Sequence, residues 1–412
     1  MLEISQRGQQ MPMSPYRKLT PYADAARQRG TEVYHLNIGQ PDIETPPEML
    51  AAVREANIRV LEYSPSAGSS SYRQKLAAYY QRNHIPVQPD DILVTAGGSE
   101  AIFFAFMSCL NPGDEVVIPE PFYGAYISFA IATDVRIVPV VSTLDEGFAL
   151  PPIEAFERVI TPRTKAIMVC NPSNPTGYVY SEAELLQMLS LCQRHNLFFL
   201  SDEAYREYCY EGFATSALQL PGAEQHVVMV DTISKRYSAC GARLGALVTK
   251  NPDVQAAALK FAQMRVSAPA LAQLMGEAAT DLPDSYFEHT KAEYRARRDL
   301  MVRRLRAMPG VACPVPGGAF YVMARLPVDD AGRFGQWLLE EFSYQGHTVM
   351  VSPAAGFYVT PGLGRDEVRL AYVLNLEKLD AALDCLEQGL AAYPGRRAQG
   401  ASAATPALET RL

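Results

Sequence analysis

The sequence is short of the features that mark secreted, membrane or nucleic-acid-binding chains. No apolar run in it approaches the ~18 residues needed to span a bilayer. The opening stretch MLEISQRGQQMPMSPYRK has no apolar core of the secretory type. There is no long basic run and the formal net charge is -8, so neither nucleic acid nor an acidic membrane is an expected partner. The seven cysteines (Cys109, Cys170, Cys192, Cys209, Cys240, Cys313, Cys385) are odd in number, scattered, and free of any CxxC spacing. That argues against a disulfide framework and against a cysteine zinc site, and no metal is expected. They read as small buried apolar residues in a reducing compartment. Histidine is scarce; His35 and His195 read as structural, and Trp337, the only tryptophan, as core. Neither a GxGxxG fingerprint nor a Walker loop occurs.

What is there suits a cytoplasmic, enzyme-sized protein. The chain has 412 residues, 48% of them apolar and 20% charged, enough for two or three domains. From about residue 90 strands and helices alternate. Apolar runs at 92–95, 115–118, 135–141, 166–170, 197–201, 227–230 and 246–249 are continuous rather than alternating in polarity. Such runs predict an α/β domain: a mostly parallel, seven-stranded sheet covered by helices on both faces. Ser181 with Glu184 predicts a capping box opening a helix to His195. Helices are also expected over 14–29 and 46–59. Residues 284–307 read as a long charged helix leading to a smaller α+β domain. The expected divisions are an N-terminal segment (1–45), a large domain (46–285), a small domain (286–395) and a disordered tail (396–412). Residues 1–13 are expected to be polar and mobile.

Four stretches at predicted strand ends carry the chemistry, since functional groups gather there in α/β folds. The central one is Val227 to Thr249. Its apolar run ends in Asp231-Thr232-Ile233-Ser234-Lys235, and Arg243 follows a small-residue turn. An amine at such a site can attack carbonyls, and the hydroxyls of Thr232 and Ser234 with Arg243 suit a phosphate. An aldehyde and a phosphate beside a lysine point to pyridoxal phosphate held as a Schiff base; the bland alternative is a surface lysine and an ordinary ion pair. In Gly97-Gly98-Ser99 a glycine pair before a helix can turn backbone amides toward an anion, or be a plain tight turn. Asn171-Pro172-Ser173-Asn174-Pro175-Thr176-Gly177 makes a rigid loop from which Asn174 can reach a cleft. Asp202 ends an apolar run in SDEAY; buried there it needs a cation, which a protonated pyridine nitrogen would supply, unless it is a helix cap. Tyr205 lies three residues on.

With NPSNPTG, SDEAY and SKRYSACGARLG in this order, the chain resembles the class I/II aminotransferases of fold type I, the aspartate-aminotransferase-like group, from about Leu36 to Tyr393. The resemblance implies that Lys235 is the Schiff-base lysine and proton carrier, and Asp202 the partner of the pyridine nitrogen. It implies that Tyr205 and Asn174 bond the ring's phenolic oxygen. Gly98, Ser99, Thr232, Ser234 and Arg243 would hold the phosphate, and Tyr123, in PEPFYGAY, would stack on the ring. Arg369, in EVRLAYVLN, would bind the substrate α-carboxylate, and Gly39, in NIGQP, would line the substrate pocket. Tyr63 would reach the phosphate of a neighbouring subunit, which implies a homodimer with shared sites. The implied reaction moves the amino group of an L-amino acid to a 2-oxo acid, 2-oxoglutarate being the expected acceptor. The same site chemistry can also run elimination, replacement, decarboxylation, ring formation or an oxidase reaction, and a regulatory module can keep this fold. Two positions depart from the aspartate enzymes: Tyr123 stands for their tryptophan, and their second arginine, supplied by the partner subunit for the distal carboxylate, has no clear counterpart, Arg265 being only a nearby candidate.

Overall fold

A computed structural model of the chain describes residues 2–14 and 17–397. The predicted tail lies outside the described residues from 398 onward. The first strand is β1 (Glu32–His35). Then come β2 (Ile92–Thr95), β3 (Glu115–Glu120), β4 (Arg136–Val141), β5 (Thr164–Cys170), β6 (Phe198–Asp202), β7 (Val227–Thr232) and β8 (Gly245–Val248). These seven form one sheet in the order β2-β8-β7-β6-β5-β3-β4. All pairs are parallel except those of β8, which runs against both β2 and β7. Every residue of β2, β3, β7 and β8 is buried, as continuous apolar runs require when helices cover both faces.

Beyond the 24-residue helix Asp284–Ala307 lie β9 (Tyr321–Arg325), β10 (His347–Met350), β11 (Ser352–Pro353) and β12 (Glu367–Ala371). β11, β12 and β9 form a small antiparallel sheet, and β10 pairs in parallel with β1. After β1 the backbone passes from β10 to β12: Leu36 N–H donates to Met350 O (3.0 Å), and Ala371 N–H to Leu36 O (2.8 Å). This seam delivers Asn37 and Gly39 beside Arg369. Among the described residues no helix is long and apolar enough to cross a membrane.

The predicted capping box is present: Ser181 Oγ accepts from Glu184 N, and Glu184 Oε2 accepts from Ser181 N at 2.7 Å. Two helix expectations need correction. The helix expected from residue 14 begins at Thr20 and ends at Gln28. Pro21 suits a first turn, where no N–H is needed, and the chain before it is a turn. The helix expected over 46–59 is confined to Pro47–Arg54, because Ile58 and Val60 beyond it meet no core and are exposed. Within the N-terminal stretch, Gln6–Gln10 is a short helix, capped by Ser5 Oγ accepting from Gly8 N (3.2 Å).

Candidate active site

The carboxyl ends of β2, β3, β5, β6 and β7 open on one cavity of about 450 Å³. Gly98, Ser99, Tyr123, Asn174, Asp202, Tyr205, Thr232, Ser234, Lys235 and Arg243 line it from the large sheet's side. Gly39 and Arg369 line it from the other. All the residues that the resemblance assigns to cofactor or substrate are therefore brought together except Tyr63.

Lys235 is fixed by its neighbours in sequence. The helical turn Ile233–Arg236 is capped by Thr232 Oγ1, which accepts from Ser234 N (3.2 Å). Arg236 points away from the cavity into Asp231, which also takes Arg206 (3.3 Å) and the Tyr80 hydroxyl (2.7 Å). Burial opposes charge on Asp231, but Arg236 and Arg206 outweigh it and hold its carboxyl below the usual carboxylate range. The backbone on both sides of Lys235 is thus clamped. Its Nζ donates to Gly39 O at 2.6 Å and lies 3.8 Å from Cys240 Sγ.

The anion end is built from Arg243, two hydroxyls and a glycine turn. Arg243 donates to Cys240 O (3.0 Å) and Ser234 Oγ (3.5 Å), and Ser234 Oγ lies 2.8 Å from Thr232 Oγ1. Gly97 has φ +83°, and a Cβ there would come within 2.4 Å of an Arg243 terminal nitrogen. Only glycine lets the guanidinium lie against the start of the helix Gly98–Cys109, whose free N–H groups favour negative charge.

The opposite end holds a carboxylate. Asp202 is buried; Tyr126 O–H donates to Oδ2 (2.7 Å) and Ala204 N–H to Oδ1 (3.2 Å). No Lys or Arg among the described residues pairs with it. Burial pushes its pKa up to about 6, the two donors pulling the other way. Tyr123 meets the Tyr126 ring edge-on, 5.4 Å between centroids. Burial raises the Tyr123 phenol to about 12, so it is neutral at ordinary pH.

Between the ends, Asn174 Nδ2 donates to the Tyr205 hydroxyl (3.5 Å), which lies 2.8 Å from the Tyr321 hydroxyl. Arg369 is almost wholly buried; it donates to Asn174 Oδ1 (2.9 Å) and Asn37 O (2.6 Å), with the Tyr321 ring 4.3 Å from its Cζ. Gly39 is required by this packing, since a Cβ there would fall 1.8 Å from the Tyr321 hydroxyl.

Sequence reasoning missed Tyr126, Tyr321, Asn37, Ser14 and Arg17. Tyr126 follows Tyr123 by three residues, which is one helical turn, and that spacing was the one available signal. Within its own chain Arg265 does not line the cavity; it donates to Glu100 (3.0 Å) and Val94 O (2.7 Å).

The donor set fits pyridoxal phosphate. A buried carboxylate with only neutral donors is a cation site, matching a protonated pyridine nitrogen. Arg243 with Thr232, Ser234 and a helix start is an anion site, matching a phosphate. Lys235 lines the same cavity, matching an aldehyde.

Comparison with known proteins agrees. The chain is 34% identical over 396 residues to the aspartate/prephenate aminotransferase of Thermus thermophilus, covering 93% of this chain and 98% of that one. It is 31% identical to the aspartate aminotransferase of Thermotoga maritima, covering 94% and 99%. Among solved structures, the Thermus thermophilus aspartate aminotransferase with maleate superimposes with a TM-score of 0.86 at 31% identity, covering 95% of this chain and 100% of that one. An alanine aminotransferase from Pyrococcus furiosus gives 0.86 at 28% identity, covering 94% and 99%. The model of the family "Aminotransferase class I and II" matches residues 31–386, and the chain belongs to that family of pyridoxal-phosphate-dependent enzymes.

Proposed function

We propose that the cavity transfers the amino group of an L-amino acid to a 2-oxo acid, with 2-oxoglutarate as acceptor. The observation that carries this reading is the convergence of Lys235, Asp202, Arg243 and Arg369 on one cavity. When bound, pyridoxal phosphate supplies an aldehyde and an electron-withdrawing ring. The chain supplies the rest. Arg243, Ser234, Thr232, Ser99 and the Gly98 backbone hold the phosphate. Asp202 keeps a proton on the ring nitrogen, and Asn174 and Tyr205 bond the phenolic oxygen. Arg369 takes the substrate α-carboxylate in a bidentate pair and so aims the Cα–H bond. The Lys235 amine is placed on the same cavity to take that proton and to give it up again. The hydroxyl chain from Tyr205 to Tyr321, with Arg369 over the Tyr321 ring, ties cofactor end to substrate end.

The test is an assay of purified holoprotein with a panel of amino acids and 2-oxoglutarate. Equal amounts of new 2-oxo acid and glutamate are expected from at least one amino acid. Ammonia, carbon dioxide or peroxide without glutamate would replace amino transfer by elimination, decarboxylation or oxidation.

Tyr63 belongs to a second part of the proposal. It is 83% exposed, and Val60 (71%), Leu61 (60%) and Met264 (71%) beside it are exposed too. The two loops are joined by Ser66 Oγ donating to Val266 O (2.6 Å) and Ser64 Oγ to Ala268 O (3.1 Å). Apolar groups so displayed favour burial against another surface. We propose that a second copy covers them and receives Tyr63 at its phosphate end. Sedimentation should give a dimer, and Val60→Asp should shift it toward monomer; a monomeric wild type at micromolar concentration would end this part. A cytoplasmic location is proposed on the same footing, from the free cysteines.

A further inference from the structure

On the amino-transfer reading, on which this inference rests, Arg369 receives the substrate α-carboxylate. Two rings face its guanidinium: Tyr321, 4.3 Å from Cζ, and Phe357, 5.0 Å from it. Tyr321 is fixed as the first residue of β9. Phe357 instead closes the single turn Ala354–Phe357, outside any strand. What holds Phe357 therefore helps to hold Arg369.

The holder comes from the large sheet. Glu120, the last residue of β3, is fully buried. Its Oε2 accepts from Val359 N (2.9 Å) and Thr360 N (3.3 Å). Two residues on, Phe122 N–H donates to Phe357 O (3.0 Å). The Glu120 carbonyl is fixed in turn by Ser142, through its N–H (2.8 Å) and its Oγ (2.9 Å). Tyr123, which lines the cavity, follows directly. The segment 120–123 thus grips the loop 357–360 and also presents a ring to the cavity. The rest of this seam is ordinary packing. Leu144 and Phe148 join Met323, Ala354, Phe357 and Tyr358 in one apolar cluster, and an exposed pair, Arg325 with Asp145 (3.0 Å), flanks it. Glu120 stands apart from that packing, because its second oxygen, Oε1, is buried with no partner among the described residues. A buried carboxylate with incomplete bonds costs folding free energy that an apolar side chain would not. Costs of this kind are tolerated at functional sites. We propose that Glu120 is a positioning residue for substrate recognition: its carboxylate latches the loop 357–360 and so sets Phe357 and Arg369 for the α-carboxylate.

The test uses holoenzyme carrying Glu120→Ala, Glu120→Gln or Asp145→Asn. Hydrogen exchange at the Val359 and Thr360 amides reads the latch. The KM of an amino acid that the wild type turns over, and the Kd of propionate, which offers a carboxylate alone, read the site. In Glu120→Ala the two amides should exchange about 10-fold faster or more, while those of β12 stay protected. KM and the propionate Kd should rise about 10-fold, the worth of one hydrogen bond to a charged group, with kcat and cofactor retention little changed. Glu120→Gln keeps an acceptor oxygen without the charge and should recover part of both effects. Asp145→Asn removes an exposed pair from the same seam and should move neither by more than about twofold. Faster exchange with an unchanged KM and propionate Kd would make Glu120 merely structural and overturn the proposal. So would unchanged exchange, equal rises in Glu120→Ala and Asp145→Asn, or loss of protection in β12. If Glu120→Ala does not fold, Glu120→Gln decides by the same readouts. A wild type that transfers no amino group fails the underlying reading instead, and amide exchange with propionate binding still decides Glu120.

Discussion

Lys235→Ala is expected to lower amino transfer by at least ~10⁴-fold, the upper range for loss of a positioned proton carrier. Lys235 is the one amine among the described residues lining this cavity, and an amine can both take and give a proton. Its neighbours have binding roles instead: Asn174 bonds Tyr205, and Arg369, which keeps its proton, bonds Asn174 and Asn37. The fold should tolerate the change. The Lys235 side chain makes one strong contact, with Gly39 O, while the turn bearing it is held by Thr232 and by Arg236 on Asp231. Thermal unfolding of the variant apoprotein should therefore match that of the wild type within a few degrees. Lys235→Arg should not restore the rate, because a guanidinium keeps its proton and cannot act as a base. Borohydride treatment should fix the pyridoxyl mass on the wild-type peptide containing Lys235 and on no peptide of Lys235→Ala. A variant that loses less than about tenfold in rate would mean that another group moves the proton.

The parts of this site legible in the sequence share one property. Asp202, Lys235, Asn174 and Gly98 each follow a continuous apolar run, so the strand end announces them. The seven strands were legible for the same reason, since a strand buried on both faces shows no alternation to confuse with a helix. The parts that were not legible act at long range. Tyr321 begins an ordinary apolar strand, and nothing local says that its hydroxyl meets Tyr205, 116 positions earlier. Asn37 contributes a backbone carbonyl, which any residue has. Arg17 falls in a span expected as helix, and nothing local says that its turn borders the cavity, because its neighbour Leu19 finds its partner near residue 335. Arg265 is held at equally long range. An arginine in a turn-rich loop looks available, and Glu100, which claims it, is 165 positions away.

Asp202→Asn should lower amino transfer by about 10³-fold and loosen the cofactor, while stabilising the protein without it. The first effect follows from breaking a buried charge pair, about 3–5 kcal/mol, at 1.36 kcal/mol per tenfold. The second comes from the same burial seen without the cation. In the polypeptide alone the Asp202 carboxyl titrates near 6 against 3.8 for a free side chain, because burial penalises its charged form. Between those values the folded chain holds more protons than the unfolded chain, so this residue's contribution to stability falls as pH rises through the window. Above it the deficit is complete, up to about 3 kcal/mol for a shift of about two units. Asparagine fills the same volume, keeps an acceptor for Tyr126 and carries no charge. Apo Asp202→Asn should thus unfold at higher temperature than the apo wild type at pH 8, with the difference vanishing near pH 4. With pyridoxal phosphate bound the order should invert, since the ring nitrogen then gives the carboxylate its cation. Thermal unfolding of both proteins, with and without cofactor, from pH 4 to 8 reads all of this. If apo Asp202→Asn is the less stable at pH 8, the carboxylate is structurally satisfied by Tyr126 and Ala204, and its burial is not the signature of a cofactor site. The inversion would instead mean that a cost carried by the empty fold is what makes the loaded one both tight and reactive.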